Sequence, residues 1–207
     1  MAFGFGMFIT LDGQSGAGKS TTARLVCDQL RERGHEPLLT CTPSSTGIGE
    51  LARRGTFDFR GNELALLVAA DRYHHERTVI RPAVADGAIV VCDRYVASSM
   101  VFDLADGVRS ELRRAVYSQL PAADLTIILC GEPALCAQRA ARRGHYSRFH
   151  SADVAANERE RNAFLTAADD LRRQGRRVLT YDVGSHPAEA VARRLADVIL
   201  DRATDAA

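Results

Sequence analysis

The stretch 7-MFITLDGQSGAGKST-21 decides how this chain folds. An apolar, β-rich run ends in Asp12 and passes at once into G-x-x-x-x-G-K-S, with Gly13, Gly18, Lys19 and Ser20 at the fixed positions. Glycines let successive backbone N–H groups turn inward around a polyphosphate, and the helix that follows presents its positive end to it. The cradle takes in Gly13, Gln14, Ser15, Gly16, Ala17, Gly18, Lys19, Ser20 and Thr21. Lys19 supplies a compact, mobile charge for the β- and γ-phosphates, and the Ser20 hydroxyl is placed to ligate Mg²⁺. The bland alternative is a glycine turn that merely opens a helix. Strand before and helix after are what the phosphate-binding mechanism requires.

Outward from this loop the pattern repeats. Apolar runs recur at 37-PLLTCT-42, 88-AIVVCD-93, 125-LTIILC-130 and 178-VLTYD-182, each near-continuous, as in parallel strands covered on both faces. Amphipathic helical patterns separate them at 20–33, 62–85, 108–120, 133–143, 153–173 and 187–201. Gly34, Gly87 and Gly175 stand at helix stops, Pro133 and Pro187 at helix starts. Alternation of this kind predicts right-handed crossovers and a three-layer α/β fold, with a five-stranded parallel sheet flanked by helices. Ligands of such folds sit at the carboxyl ends of the strands. Asp93 ends the third run, where a carboxylate can hold a Mg²⁺-bound water or position an acceptor phosphate. Its structural alternative is a cap on Ser98 or a nearby N–H. Asp12 is a second candidate for Mg²⁺ or substrate.

Composition narrows the class. The 207 residues are 46% hydrophobic and 26% charged, fitting one domain over 1–207 with no linker or repeat. The net charge of +1 argues against a nucleic-acid coat, and no aromatic-interleaved basic stripe occurs. No apolar stretch is long enough for a membrane span, and Met1–Met7 lacks a leader's basic start. Cys27, Cys41, Cys92, Cys130 and Cys136 form no CxxC pair, which points to reduced thiols in a cytoplasmic protein. Of the 27 basic residues only Lys19 is lysine. A lone ammonium among arginines suggests a task a guanidinium cannot perform.

Longer strings are more specific than the loop. The segment 65-ALLVAADRYHHERTVIRPAVADGAIVVCDRYVASS-99 resembles the part of thymidylate kinases that carries an A-A-D-R helix, an I-x-P-A-L-like segment and a D-R-Y strand end. The stretch 181-YDVGSHPAEAV-191 is similar to that family's terminal D-A-x-x-P segment. The resemblance runs from about Phe8 to about Leu200. It implies a P-loop kinase that binds ATP and Mg²⁺ and passes the γ-phosphoryl to a nucleoside monophosphate. It further implies that Arg94 holds the acceptor phosphate, Tyr95 packs on the sugar and Arg72 reaches the base, with Ser99 and Phe102 alongside. A homodimer through sheet-flanking helices is implied too, for which the helix 62–85 is suited. From Pro133 to Ala152 there is no acid, while Arg139, Arg142, Arg143 and Arg148 fall there with His145 and His150. A cationic lid over about 139–152 is expected, Arg142, Arg143 or Arg148 stabilising the transferring group. A solvated basic helix face is the plain alternative.

Departures cluster on the acceptor side. Where the family has an R-E-P-like string this chain has 41-CTPSS-45, and Val68 replaces the aromatic expected to stack on thymine. Asp103 stands where an amide commonly reads the base, Ser15 where an acid often meets the deoxyribose, and the lid's usual D-R-x-E reads 147-SRFH-150. An ionised Asp103 only accepts, so it suits a base edge that offers donors, as cytosine or guanine does. Alternatively Asp103 pairs with Arg72 or Arg109 and thymidylate is still accepted. Two other functions stay open. One is a kinase of a nucleoside or small hydroxyl compound, with Asp93 as general base. The other is a non-catalytic ATP-binding regulatory module.

Overall fold

The computed structural model describes residues 6–143, 147–149 and 153–205. Five parallel strands, β1 (Met7–Gly13), β2 (Leu38–Cys41), β3 (Ile89–Asp93), β4 (Leu125–Cys130) and β5 (Val178–Asp182), lie in the order β2-β3-β1-β4-β5. β1 is central, with Leu11 paired to Asp93 on one side and Gly13 to Leu129 on the other. The loop that leaves its carboxyl end is at the edge where ligands of such sheets sit.

Alternate residues of the strands build one core on one face of the sheet and two on the other. Ile9, Leu11, Val91 and Ile127 pack with α1 (Lys19–Glu32) and α9 (Ala188–Asp205) through Val26, Leu30, Leu195 and Ile199. The opposite face holds Phe8, Val90 and Cys92, against Ala69 of α3 (Asn62–His75) and Tyr117 of α6 (Ser110–Tyr117). On β4 that face meets α5 (Val96–Ala105) and α8 (Val154–Arg173), through Ala97, Phe164 and Ala168. Burial on both faces explains the near-continuous apolar runs.

The helix expected over 62–85 is continuous in outline but changes winding, with a π turn at Glu76–Ile80 between α3 and α4 (Arg81–Ala85). Buried Glu76 there takes both Nε and Nη2 of Arg81 at 2.8 Å. α7 spans Pro133–Arg143, as expected. Two helices were not evident in the sequence pattern: α2 (Gly47–Arg54) and α5.

Candidate active site

β1 delivers the chain into the phosphate loop, and close packing there admits only glycine. Gly13 has φ 139°, and an added Cβ would stand 2.1 Å from the Leu129 carbonyl oxygen. At Gly16, with φ 83°, a Cβ would meet the Cys136 carbonyl of α7 at 2.0 Å. α1 begins at Lys19 with no acidic residue in its first turn, so its N–H groups and positive end remain suited to an anion.

The loop is braced from behind by α8. Gln14 Nε2 donates to Asn157 Oδ1 at 2.7 Å and to the Gly131 carbonyl at 3.2 Å, and its Oε1 accepts from Gly131 N at 3.2 Å. Asn157 Nδ2 donates to the Ser15 carbonyl at 2.8 Å, and Ser15 Oγ to Glu160 Oε1 at 3.1 Å. Gln14 and Ser15 are fully buried, so their side chains act as struts rather than as ligands. Asn157 and Glu160 did not stand out in the sequence. The one available signal was a polar residue, Asn157, in line with Phe164, Ala168 and Leu171 on a buried helical face.

Lys19 folds back onto the loop, its Nζ donating to the Gln14 carbonyl at 2.7 Å. Burial, with the Arg94 guanidinium beside it, pulls its ammonium down to about 7; Glu160 and Asp93 oppose that and Arg143 adds to it. A bound polyphosphate reverses this balance by supplying the missing negative charge.

Asp93, at the end of β3, accepts a hydrogen bond from Ser20 Oγ, so the two residues proposed for Mg²⁺ are brought together. The next residue, Arg94, has φ 72° and is the one non-glycine among the described residues with positive φ. Backbone in this region costs energy and is often retained where it aims a side chain. Arg94 N donates to the Leu11 carbonyl at 2.9 Å, and its guanidinium lies 5.5 Å from the Phe102 ring centroid.

A cavity of about 270 Å³ opens beside these groups, and Ser20, Asp93 and Arg94 contribute to its walls. Val68, Arg72, Ser99, Phe102 and Asp103 line it too, which brings together most of the expected acceptor set. Arg72 is 2% exposed; it donates to Thr42 Oγ1 at 3.2 Å and to Ser99 Oγ at 2.5 Å. Thr42 Oγ1 in turn donates to the Arg94 carbonyl at 2.7 Å. Thr42 therefore links Arg72 and Arg94, the two arginines expected on the acceptor side, from a position where the family string carries a charge. The loop holding Thr42 is tied to α3 by Asp71, which accepts from Ser44 N at 2.7 Å and Ser44 Oγ at 2.5 Å.

Other expected residues lie elsewhere. Asp12 is fully buried; its Oδ1 accepts from Tyr95 N at 3.0 Å, Ser98 N at 2.9 Å and Ser98 Oγ at 2.6 Å. Asp12, not Asp93, is thus the carboxylate that holds the start of α5. Tyr95 does not line that cavity. Its ring packs edge-on to Phe8 at 4.9 Å in the core, because the turn at Arg94 sends consecutive side chains to opposite sides. Asp103 is paired with neither Arg72 nor Arg109. It accepts from Tyr117 Oη at 2.7 Å, and burial pushes its carboxyl above the usual range despite that bond and the Arg72 charge.

The described part of the expected lid differs from a free cationic face at Arg148. Arg148 grips Asp106 with two parallel bonds, Nη1 to Oδ1 at 2.7 Å and Nη2 to Oδ2 at 2.5 Å. Its Nε also donates to the Thr56 carbonyl at 2.6 Å. Arg142 and Arg143 are exposed at the end of α7. Gly144, His145 and His150 lie outside the described residues. Among the described residues no group of three or more His, Cys, Asp or Glu is arranged to hold a metal, and no helix is long and apolar enough to cross a membrane.

Comparison with known proteins agrees with this geometry. The thymidylate kinase family model matches residues 11–194. The chain is 37% identical to the thymidylate kinase of Clavibacter sepedonicus, over 92% of each chain. Identity is 37% to that of Deinococcus radiodurans, over 79% of this chain and 83% of the relative. It is 35% to that of Desulfosudis oleivorans, over 96% and 98%. A phosphate loop, an Asp93–Arg94 strand end and a buried Arg72 wall in one continuous match have one reading: the chain belongs to the thymidylate kinase family and is an ATP-dependent nucleoside monophosphate kinase.

Proposed function

We propose that the protein transfers the γ-phosphoryl group of ATP to the 5′-phosphate of a pyrimidine nucleotide, thymidylate in the first instance. The observation that carries this is the shared cavity, in which the Ser20–Asp93 pair and Arg94 stand with Arg72, Ser99 and Asp103. Two phosphate groups repel as they approach in line, so catalysis amounts to positioning and cationic clamping. Lys19 and the loop N–H groups take the donor, Arg94 takes the acceptor phosphate, and Arg143, whose charge reaches Lys19, serves the transferring group together with Arg142. One hydroxyl and one carboxylate, Ser20 and Asp93, would hold Mg²⁺. When bound, Mg²⁺ offsets the negative charge between the phosphates.

The test is ADP formation with dTMP, dUMP, dCMP, dGMP and thymidine side by side. Turnover with pyrimidine monophosphates and not with thymidine is expected. Equal turnover of thymidine would assign a hydroxyl kinase, and none with any acceptor a non-catalytic module. A second reading, an amine-bearing base such as cytosine, is favoured by Asp103 on the cavity wall. Under it Asp103→Asn shifts preference from dCMP toward dTMP by about tenfold. A dTMP preference of a hundredfold in the unaltered protein ends that reading.

A homodimer through α3 is part of the proposal. Leu66 and Tyr73, two turns apart on one face, are 49% and 38% exposed. Light scattering of Leu66→Arg should then report a monomer. A cytoplasmic setting is supported by five free thiols.

A further inference from the structure

A second cavity, of about 490 Å³, lies behind the acceptor site and includes no residue of the phosphate loop. Its walls come from α5, α6, the segment 118–123 and the end of α8, with Thr126 of β4 among them. Met100, Leu120, Pro121 and Ala97 supply apolar surface. The charged groups on the walls are Arg113, Arg114, Arg176 and Asp170, and Asp170 is already paired to Arg173. The balance is therefore strongly positive.

Arg113 is the most informative of these. Its Nη1 donates to the Met100 carbonyl at 3.1 Å, which fixes the guanidinium at the wall. Its Nε is buried, and among the described residues it has no hydrogen-bond partner. An unpaired buried donor on a cation is costly unless an anion or water completes it. The size lies within the range of small-molecule sites, and apolar walls with a few placed polar groups are their usual make-up.

Tyr95 and Tyr117 line this cavity and not the first one, but they touch two residues of the first cavity's wall, Arg72 and Asp103. Arg72 sits over their rings at 5.8 Å and 5.6 Å from the centroids. Tyr117 also holds Asp103. A molecule pressing on the two rings bears on the residues that hold the acceptor.

We propose that this cavity binds a small organic anion, a flat apolar ring system carrying one sulfonate, carboxylate or phosphate group, and that its occupancy changes acceptor affinity. The coupling, unlike the site itself, rests on the acceptor assignment above. Coupling of this kind is reciprocal, so either ligand reports it.

The probe is 8-anilinonaphthalene-1-sulfonate, titrated by fluorescence into the full chain. One site is expected, with Arg113→Met weakening it about tenfold, the effect of losing one charged hydrogen bond. Ser118→Trp, which fills the cavity from an exposed wall position, should abolish it without touching Arg113. Saturation with dTMP should shift the probe's Kd at least threefold. No binding, or a Kd unchanged in both variants, overturns the site; so does full displacement by ATP with both variants silent, which places the probe on the phosphate loop. A Kd indifferent to bound dTMP overturns the coupling. Should dTMP itself fail to bind, the acceptor assignment fails while the response to Arg113→Met still decides the site.

Discussion

The hydroxyl of Ser20 donates to Asp93 Oδ2, joining the phosphate loop to the end of the neighbouring strand at the wall of the cavity proposed for the acceptor. Mg²⁺ held by this pair would share the carboxylate with the hydroxyl. Asp93→Asn should lower kcat by about a hundredfold or more, since the amide keeps the hydrogen bond but loses the charge. Ser20→Ala should be milder, raising the Mg²⁺ concentration for half-maximal rate several-fold at nearly unchanged acceptor KM. Steady-state rates across a Mg²⁺ series check both, and an unaltered Mg²⁺ requirement in both variants would exclude this pair as the metal site.

Lys19 gives a prediction with a definite sign. Its ammonium lies at about 7 in the folded protein and at an ordinary 10.5 when unfolded, so between these values the unfolded chain binds more protons. Its contribution to stability is least favourable below pH 7, rises with pH through the window from 7 to 10.5, and is constant above it. Lys19→Met should flatten that rise in a series of urea melts from pH 6.5 to 9. ATP, by contrast, restores the charge, so binding at pH 8 should take up a fraction of a proton. Calorimetry in two buffers of different ionisation enthalpy measures that uptake, and it should vanish in Lys19→Met.

Much of this was legible in the sequence because the informative residues are tied to strand ends. β1, β3, β4 and β5 fall within one residue of their apolar runs, and the phosphate loop, Asp93, Arg94 and Arg72 follow from local strings. α5 was hidden for a physical reason. Its inward side holds Ala97, Ser98, Val101 and Asp103, mixing polar with apolar, so no clean amphipathic period appears. α2 is short and carries Gly47 and Gly49, which read as loop. Asp12, Tyr95 and Asp103 were placed from neighbouring motifs, but their side-chain partners, Ser98, Phe8 and Tyr117, are set by tertiary packing that spacing does not encode.

Asp12 offers a direct contrast between a capping and a metal role. Three donors at the start of α5 converge on its buried Oδ1. Asp12→Ala leaves all three unpaired and should cost about 2–4 kcal/mol in urea denaturation, with Ser98→Ala costing about 1 kcal/mol. Activity per folded molecule should keep its Mg²⁺ dependence. Unchanged stability together with a raised Mg²⁺ requirement would instead make Asp12 a metal residue.

Arg148 and Asp106 separate a strap from a catalytic arginine. Both side chains are mostly buried, and their parallel bonds draw residue 148, in the expected lid, onto the connection between α5 and α6, with Thr56 beneath. If this pair holds the cavity closed, Asp106→Asn and Arg148→Gln should behave alike, each raising acceptor KM about fivefold to twentyfold and lowering Tm by several degrees with little loss of kcat. A catalytic Arg148 predicts otherwise: kcat collapses in Arg148→Gln alone, while Asp106→Asn, which frees the guanidinium, leaves it intact. The pH dependence carries the same information. Burial pushes the Asp106 carboxyl up, but the Arg148 bonds and the Gly61 N–H outweigh it and hold the group below its ordinary value. Its stabilisation is therefore complete above the unfolded value of about 3.9 and is lost as pH falls from there through the lowered folded value. Acid melts of the unaltered protein should show that loss, and Asp106→Asn, with no carboxyl to protonate, should show correspondingly less of it.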